Sequence, residues 1–223
     1  MRMIKRAVGF IAAMVLILSA AGCLAENEPD EYVKAVLDLR MQGNADELVK
    51  MVKDKNRTEL LGEHNDGILA FTEVYITGGM DMSESMNAQY AELCKEIFLA
   101  MRYSVKGYEE QSKGQYEVTV EITTADVFET YLPKLALESE RLLTKAQNGE
   151  YEGSKEQIND QLQQEFTYSA YDLLEESYLN MEYKEKRTVT IPVTEKEKGE
   201  YRISEDDIWS FVVKLLLLDA IQG

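Results

Sequence analysis

Two stretches of this chain alternate apolar and polar residues, and this period of two restricts the possible folds more than any other feature of the sequence. The first covers residues 103–122, with a turn at 112–114, and the second covers residues 183–203, with a turn at 197–199. Alternation on both sides of a short polar turn is typical of a β-hairpin with one buried face. We therefore predict two hairpins. Because Pro192 has no amide hydrogen, we expect its strand to lie at a sheet edge or Pro192 to mark a bulge.

In the rest of the chain, apolar residues recur at helical spacing. Helices are predicted to begin near Pro29, Ala45, Thr58, Ser83, Asp126, Ser154 and Ser204. The two hairpins can join into one sheet that the helices cover. The predicted fold class is therefore α+β, with an antiparallel sheet of about four strands packed against several long amphipathic helices.

The order of elements occurs twice along the chain. A helix, a hairpin and a helix follow one another around residues 84–147, and the same order returns around residues 154–216, at an offset of about 80 residues. Two interpretations stay open: a helix-hairpin-helix unit used twice, or elements that recur by chance in a mixed fold. Under both we predict a single α+β domain over residues 30–223.

The first residues of the chain have the three parts of an export signal. Three basic residues precede the apolar run Val8–Leu18, and the small residues Ser19–Gly22 follow it. The apolar run is too short to span a bilayer, so it is typical of the central region of a signal peptide. We predict that residues 1–22 are a signal peptide.

The end of this segment, Leu18-Ser19-Ala20-Ala21-Gly22-Cys23, resembles the lipobox of bacterial lipoproteins, although many lipoboxes have leucine where this chain has Ala20. The resemblance implies that Cys23 receives a diacylglyceryl group before cleavage, and that residues 23–29 are a tether to the outer face of the cell membrane. Several acyl chains, such as palmitate, are needed for stable anchoring. The alternative is an ordinary signal peptide that is cleaved after Ala21 or Gly22.

Charge and cysteine content exclude several classes of partner and chemistry. The net charge of −17 becomes −20 once the three basic residues of the signal peptide are removed. Such a surface repels nucleic acid and anionic lipid headgroups, so we predict no nucleic-acid partner. With Cys23 acylated, Cys94 has no partner for a disulfide, and its position between apolar helical residues predicts a small buried hydrophobe rather than a reactive thiol.

The sequence offers few of the parts that enzymes use. His64 is the only histidine, which restricts metal sites and nucleophile–histidine relays. Its segment, residues 62–67, is predicted to be a polar turn inside or between helices, the alternative being a set of oxygen ligands for calcium. With 41 acidic residues in the chain, neighbouring carboxylates carry no information about acid–base catalysis. We predict no catalytic residue, no metal and no cofactor.

Thirteen tyrosines are the most distinctive content of the domain. Several fall on predicted strands and on the helices expected to cover them, so their hydroxyl groups could converge on a concave site for a small polar ligand. We predict Tyr116, Tyr131 and Tyr178 as ligand-binding residues. The alternative is that these tyrosines are boundary residues, with the ring inside and the hydroxyl group in water.

The lipobox cysteine, the acidic tether and the hairpins between amphipathic helices together resemble lipoproteins of unknown function from Gram-positive gut bacteria, whose domains are similar to nuclear-transport-factor-two-like or cystatin-like α+β folds. This resemblance implies a curved sheet on helices with a cone-shaped pocket. We predict a non-enzymatic, lipid-anchored cell-surface protein that binds a small polar ligand or an envelope protein. The first alternative is an accessory module without a pocket. An enzyme would become the better interpretation if a pocket held His64 beside a carboxylate.

Overall fold

The computed structural model of the protein describes residues 27–78, 80 and 82–218. Cys23 and the predicted signal peptide lie outside the described residues, so the lipid anchor stays a prediction.

The described residues form seven α-helices and one four-stranded antiparallel sheet in the order β1-β2-β3-β4, which confirms the predicted α+β class. The helices are α1 (Pro29–Gln42), α2 (Leu48–Met51), α3 (Arg57–Phe71), α4 (Glu84–Ala100), α5 (Val127–Gln147), α6 (Lys155–Leu179) and α7 (Glu205–Leu216). The strands are β1 (Arg102–Ser112), β2 (Gln115–Ala125), β3 (Tyr183–Glu197) and β4 (Glu200–Arg202). A π-helical turn, Thr72–Thr77, continues α3.

Three of the predicted helix starts are capped by serine, among them those of α4 and α7. The hydroxyl group of Ser83 accepts a hydrogen bond from the amide of Met86 at the start of α4, and that of Ser204 accepts one from the amide of Asp207 at the start of α7. A serine hydroxyl at this position satisfies an amide that has no partner within the helix. These caps fix where the two helices begin.

A β-bulge in β1 explains how Tyr108 shares a face with Tyr103 and Val105. Val105 lies opposite Val120, and Tyr108 lies opposite Val118, with a register shift between Val105 and Gly107. Side chains alternate between the two faces of a strand, so one extra residue returns Tyr108 to the inner face. The face that begins with Tyr103 is therefore continuous along the strand.

Pro192 lies on a strand with one free edge. Strand β4 pairs only with the end of β3, from Thr194 to Glu197, so no described strand runs along the outer edge of residues 183–193. On the inner side Pro192 lies opposite Glu117, without a register shift. The prediction of an edge position is confirmed, and Pro192 does not mark a bulge.

One face of the sheet forms the core together with α1 and α7. Val118, Val120 and Ile122 of β2 are completely buried on that face. The hydroxyl group of Tyr103 on β1 donates a hydrogen bond of 2.7 Å to Oδ1 of Asp38 on α1. A hydrogen bond to a charged partner is stronger than a neutral one, so this contact fixes α1 against the sheet.

Candidate functional site

A cavity of about 350 Å³ lies between α1, α3 with its π-helical turn, and α7. Its walls are mainly apolar and aromatic. The lining includes Tyr32 and Arg40 of α1, Glu63, His64 and Phe71 of α3, and Trp209 of α7. The cavity therefore depends on how α1, α3, the π-helical turn and α7 pack against one another.

The sequence of α1 explains one wall. Tyr32, Val36 and Arg40 follow one another at intervals of four residues, so they share one face of the helix, and all three line the cavity. Two of them are apolar or aromatic, and the third brings a guanidinium group into the same wall. A charged side chain on the buried stripe of a helix is the exception that requires a partner or a function.

The π-helical turn shapes the opposite wall. It prolongs α3 by six residues and ends at Gly78, whose φ of 56° is left-handed. Thr72 donates a side-chain hydrogen bond of 2.8 Å to the carbonyl oxygen of Ile68, which holds the junction with α3. Within the turn, Val74 and Tyr75 line the cavity. Such turns within helices occur frequently at functional sites.

Three aromatic rings close one end of the cavity. Phe71 stacks on Tyr75 with ring centroids 5.4 Å apart, and Tyr75 lies 4.7 Å from Trp209. These contacts bring α3 and α7 together across the end of the cavity. Trp209 is the only tryptophan in the chain, so its fluorescence reports directly on what enters the cavity.

Two polar groups of the wall are buried without a hydrogen-bond partner among the described residues: the hydroxyl group of Tyr32 and Oε2 of Glu63. Tyr32 is only 4% exposed, and burial raises the pKa of its hydroxyl group to about 12, against the opposing effect of Arg202 and Arg40. The other carboxylate oxygen of Glu63 forms a salt bridge with Lys55. A buried polar atom without a partner costs free energy, so these two atoms are available to a ligand or to water in the cavity.

His64 is buried against the backbone at Gly43. Gly43 has a left-handed φ of 63°, and a β-carbon at this position would lie 3.1 Å from Nε2 of His64. The prediction that residues 62–67 form a polar turn is wrong, because the whole segment lies inside α3. Leu60, His64 and Ile68 are all buried on one face of that helix, and their packing outweighs the two glycines of the segment.

We expect the stability of the protein to fall as the pH drops from about 7 to about 5.5. Burial, and next the positive charge of Lys95, lower the pKa of His64, although the backbone carbonyl of Arg40 favours the protonated ring. The unfolded chain therefore takes up a proton near the ordinary histidine pKa of 6.5 while the folded chain does not. The contribution of the neutral His64 ring to the free energy of unfolding is fully present above this pH. Below it the free energy of unfolding falls by at most about 1.4 kcal/mol per pH unit.

Urea unfolding at the two pH values measures this effect. The NMR signal of the His64 imidazole, followed against pH, gives the pKa of the ring directly. The matched variant His64→Gln should lose the dependence in this pH range, because carboxylates titrate mainly at lower pH. An imidazole that titrates at its ordinary value in the folded protein would contradict the prediction.

The three predicted ligand-binding tyrosines lie in three different places, and none lines the cavity. Tyr116 on β2 donates a hydrogen bond of 3.1 Å to Oε2 of Glu195. Tyr131 on α5 is 2% exposed, and its hydroxyl group has no partner among the described residues. Tyr178 on α6 is half-buried against the core. Ligand binding by these three residues stays a prediction.

Apart from His64, the residues that line the cavity were not predicted as site residues from the sequence. The available signal was Arg40, a charged residue at the same helical spacing as Tyr32 and Val36. Trp209 gave no such signal, since an aromatic residue in an amphipathic helix usually belongs to the core.

Among the described residues, no helix is long and apolar enough to cross a membrane. Within the same residues, no group of three or more histidine, cysteine or acidic side chains lies close enough together to hold a metal ion.

Neither a protein-family model nor a curated protein matches the chain. Among solved structures, the fold resembles the crystal structure of "a putative lipoprotein (ycdA) from Bacillus subtilis subsp. subtilis str. 168", with a TM-score of 0.51 and 14% sequence identity. The match covers 84% of this chain and 55% of that protein, so the chain spans about half the length of its structural neighbour. At this identity the likeness shows the fold alone.

Proposed function

We propose that this chain is a non-enzymatic, lipid-anchored protein of the cell surface that binds a small amphipathic ligand in the cavity between α1, α3 and α7. The observation that supports ligand binding is the cavity itself. Its volume of about 350 Å³ is at the lower end of the range for small-molecule sites, which are typically about 300–1,000 Å³. Mainly apolar and aromatic walls with a few polar groups are typical of such sites.

The chemistry of the walls favours a ligand with an apolar body. Phe71, Tyr75 and Trp209 offer ring faces at one end of the cavity, whereas the polar groups are few. The small polar ligand expected from the tyrosine content would leave these rings without a suitable partner. We therefore propose an amphipathic ligand in its place.

A hydrolytic or acid–base enzyme is the weaker interpretation, although His64 and Glu63 both line the cavity. General acid–base catalysis needs a base within hydrogen-bond reach of the reacting proton, usually oriented by a second group. Glu63 is engaged with Lys55, and the ring of His64 lies against the backbone at Gly43. The two side chains are neighbours in α3, where successive residues do not face each other.

The neutral fluorophore 1-aminoanthracene tests the proposal, because its emission increases in an apolar cavity and it accepts energy from Trp209. Ala70 lines the cavity, and Ala70→Phe adds a ring to the space that the ligand would occupy. We expect this variant to bind the probe at least about tenfold more weakly, which corresponds to about 1.4 kcal/mol. The emission of the bound probe measures the affinity.

The matched control is Leu69→Phe, on the neighbouring residue, which is 51% exposed and does not line the cavity. It should bind the probe as the unchanged protein does. Equal affinities of the unchanged protein and Ala70→Phe would show that the probe binds elsewhere, and the proposed site would be abandoned.

A further inference from the structure

Three polar side chains line the same apolar cavity: Arg40, Tyr32 and Glu63. The hydroxyl group of Tyr32 and Oε2 of Glu63 are buried without a hydrogen-bond partner among the described residues. The chemistry of these groups defines what the polar end of a ligand would have to offer. This inference rests on the proposed function and specifies the ligand of the same site.

Arg40 brings a positive charge to the cavity. Its guanidinium group belongs to the wall of the cavity and is close enough to the carboxylates of Glu205 and Glu63 to feel their charge. Burial lowers the pKa of this group, and the carboxylates of Glu205 and Glu63 partly oppose that effect. A guanidinium group carries five N–H donors and binds carboxylates in a bidentate manner, so it offers a site for an anionic group.

Tyr32 adds a donor beside this charge. Its hydroxyl group is close enough to Arg40 for the charge of Arg40 to lower its pKa, although burial raises that pKa more strongly. The side chain is 96% buried, and the hydroxyl group has no partner in the described residues. Arg40 and Tyr32 together can hold one carboxylate through two kinds of donor.

Glu63 needs a hydrogen-bond donor from the ligand, whereas Arg40 and Tyr32 supply donors. Its Oε1 pairs with Lys55, and its buried Oε2 accepts no hydrogen bond from any described residue. An ionised carboxylate can only accept hydrogen bonds, so this oxygen needs a donor. An ammonium group with three N–H donors satisfies it with charge complementarity.

We propose that the cavity binds a zwitterion of the α-amino-acid type, whose carboxylate contacts Arg40 and Tyr32, whose ammonium group contacts Glu63, and whose apolar side chain packs against Phe71 and Trp209. A ligand with only an anionic group would leave Oε2 of Glu63 without a donor. A ligand with only a cationic group would leave the hydroxyl group of Tyr32 without an acceptor. In each case a polar group stays buried and unpaired, which is the costly outcome.

Three compounds that share one phenyl ring test this inference: L-phenylalanine, which carries both charges, 3-phenylpropionate, which lacks the ammonium group, and 2-phenylethylamine, which lacks the carboxylate. The L-leucine series, with 4-methylpentanoate and 3-methylbutylamine, repeats the comparison with an aliphatic side chain. Trp209 fluorescence, excited where phenylalanine does not absorb, measures binding to the full folded domain. We expect the zwitterion of at least one series to bind at least about tenfold more tightly than either singly charged analogue.

Variants of the cavity wall test which residue contacts each charged group of the ligand. Arg40→Gln should reduce the affinity for the zwitterion to that of the amine, and Glu63→Gln should reduce it to that of the carboxylate. Tyr32→Phe should weaken binding less, because Arg40 remains. Ser177→Ala removes another buried hydroxyl group without a described partner, away from the cavity, and Glu73→Gln removes an exposed charge on the π-helical turn; both should bind as the unchanged protein does.

The inference fails if no zwitterion binds more tightly than its singly charged analogues while 1-aminoanthracene still binds in the cavity, since the proposed function then stands with another ligand class. If neither the zwitterions nor 1-aminoanthracene bind, both proposals fail together. Circular dichroism of Arg40→Gln separates loss of binding from loss of fold. If that variant unfolds, Arg40→Lys keeps the charge but loses the bidentate geometry, and should weaken binding of the zwitterion and of 3-phenylpropionate more than binding of the amine.

Discussion

Replacing Cys23 with alanine is expected to move the protein from the membrane fraction to the soluble fraction of the cells that export it. The acyl chains on this cysteine would be the link to the bilayer, each buried methylene contributing about 0.8 kcal/mol to membrane binding. Without the thiol no diacylglyceryl group can be attached, so labelled palmitate should not be incorporated. Fractionation followed by immunoblotting measures the distribution.

The second cysteine provides the matched control. Cys94 is completely buried in α4, and burial raises the pKa of its thiol to about 12, so it is unsuited to acylation. Cys94→Ala should remain in the membrane fraction and still incorporate palmitate. Unchanged membrane retention of Cys23→Ala would contradict the lipid anchor, whereas release of the unchanged protein without palmitate would favour the ordinary signal peptide.

Replacing Phe71 with alanine is expected to lower the free energy of unfolding by about 3–5 kcal/mol, the usual range for removing a buried phenylalanine. Phe71 is 3% exposed and contacts the rings of Tyr75, Phe98, Phe128 and Trp209, with centroid distances from 4.9 to 6.2 Å. It therefore joins α3, α4, α5 and α7 at one point. Aromatic pairs add to the free energy of burial, and the variant loses four of them.

Urea unfolding followed by circular dichroism measures this loss, and the emission of Trp209 should shift to longer wavelength in the folded variant as its surroundings become wetter. Phe71→Leu keeps most of the volume and should cost clearly less. Leu137→Ala, at a side chain that is 67% exposed, should change stability by less than about 0.5 kcal/mol. A loss for Phe71→Ala no larger than that of Leu137→Ala would contradict the central position of Phe71 in the core.

The hairpins of the sheet could be predicted from the sequence because alternating apolar and polar residues lie on both sides of a short turn. The alternation of residues 103–122 predicts a hairpin with one buried face, and the structure completely buries Val118, Val120 and Ile122 on that face. Pairing within a hairpin therefore follows from residues that are close together in the chain. The pairing of β2 with β3, as between Gln115 and Thr194, joins residues that are far apart, and the bulge of β1 is visible only in the register with β2.

The cavity could not be predicted in this way, because it is a space between elements that are distant in the sequence. Tyr32 and Trp209 are separated by most of the chain, and each looks like an ordinary core residue within its own helix. Periodicity tells which face of a helix is buried, but not whether the neighbouring helix fills the space opposite. Only Arg40, a charge on a buried face, indicated that this part of the interior differs from a simple core.

The free edge of β3 has a consequence for a protein held at a surface. Lipid-anchored molecules are concentrated in two dimensions, where an exposed strand edge could pair with a neighbouring copy and begin to aggregate. Along the unpaired edge of residues 183–193, Pro192 offers no amide hydrogen, and Lys184, Lys186 and Arg187 place positive charges on the strand. Two such edges would lack one backbone donor, and pairing them would disturb charged side chains such as Lys184 and Lys186, which form ion pairs with Glu129 and Glu121. Copies crowded by the proposed anchor would therefore be protected from joining their sheets.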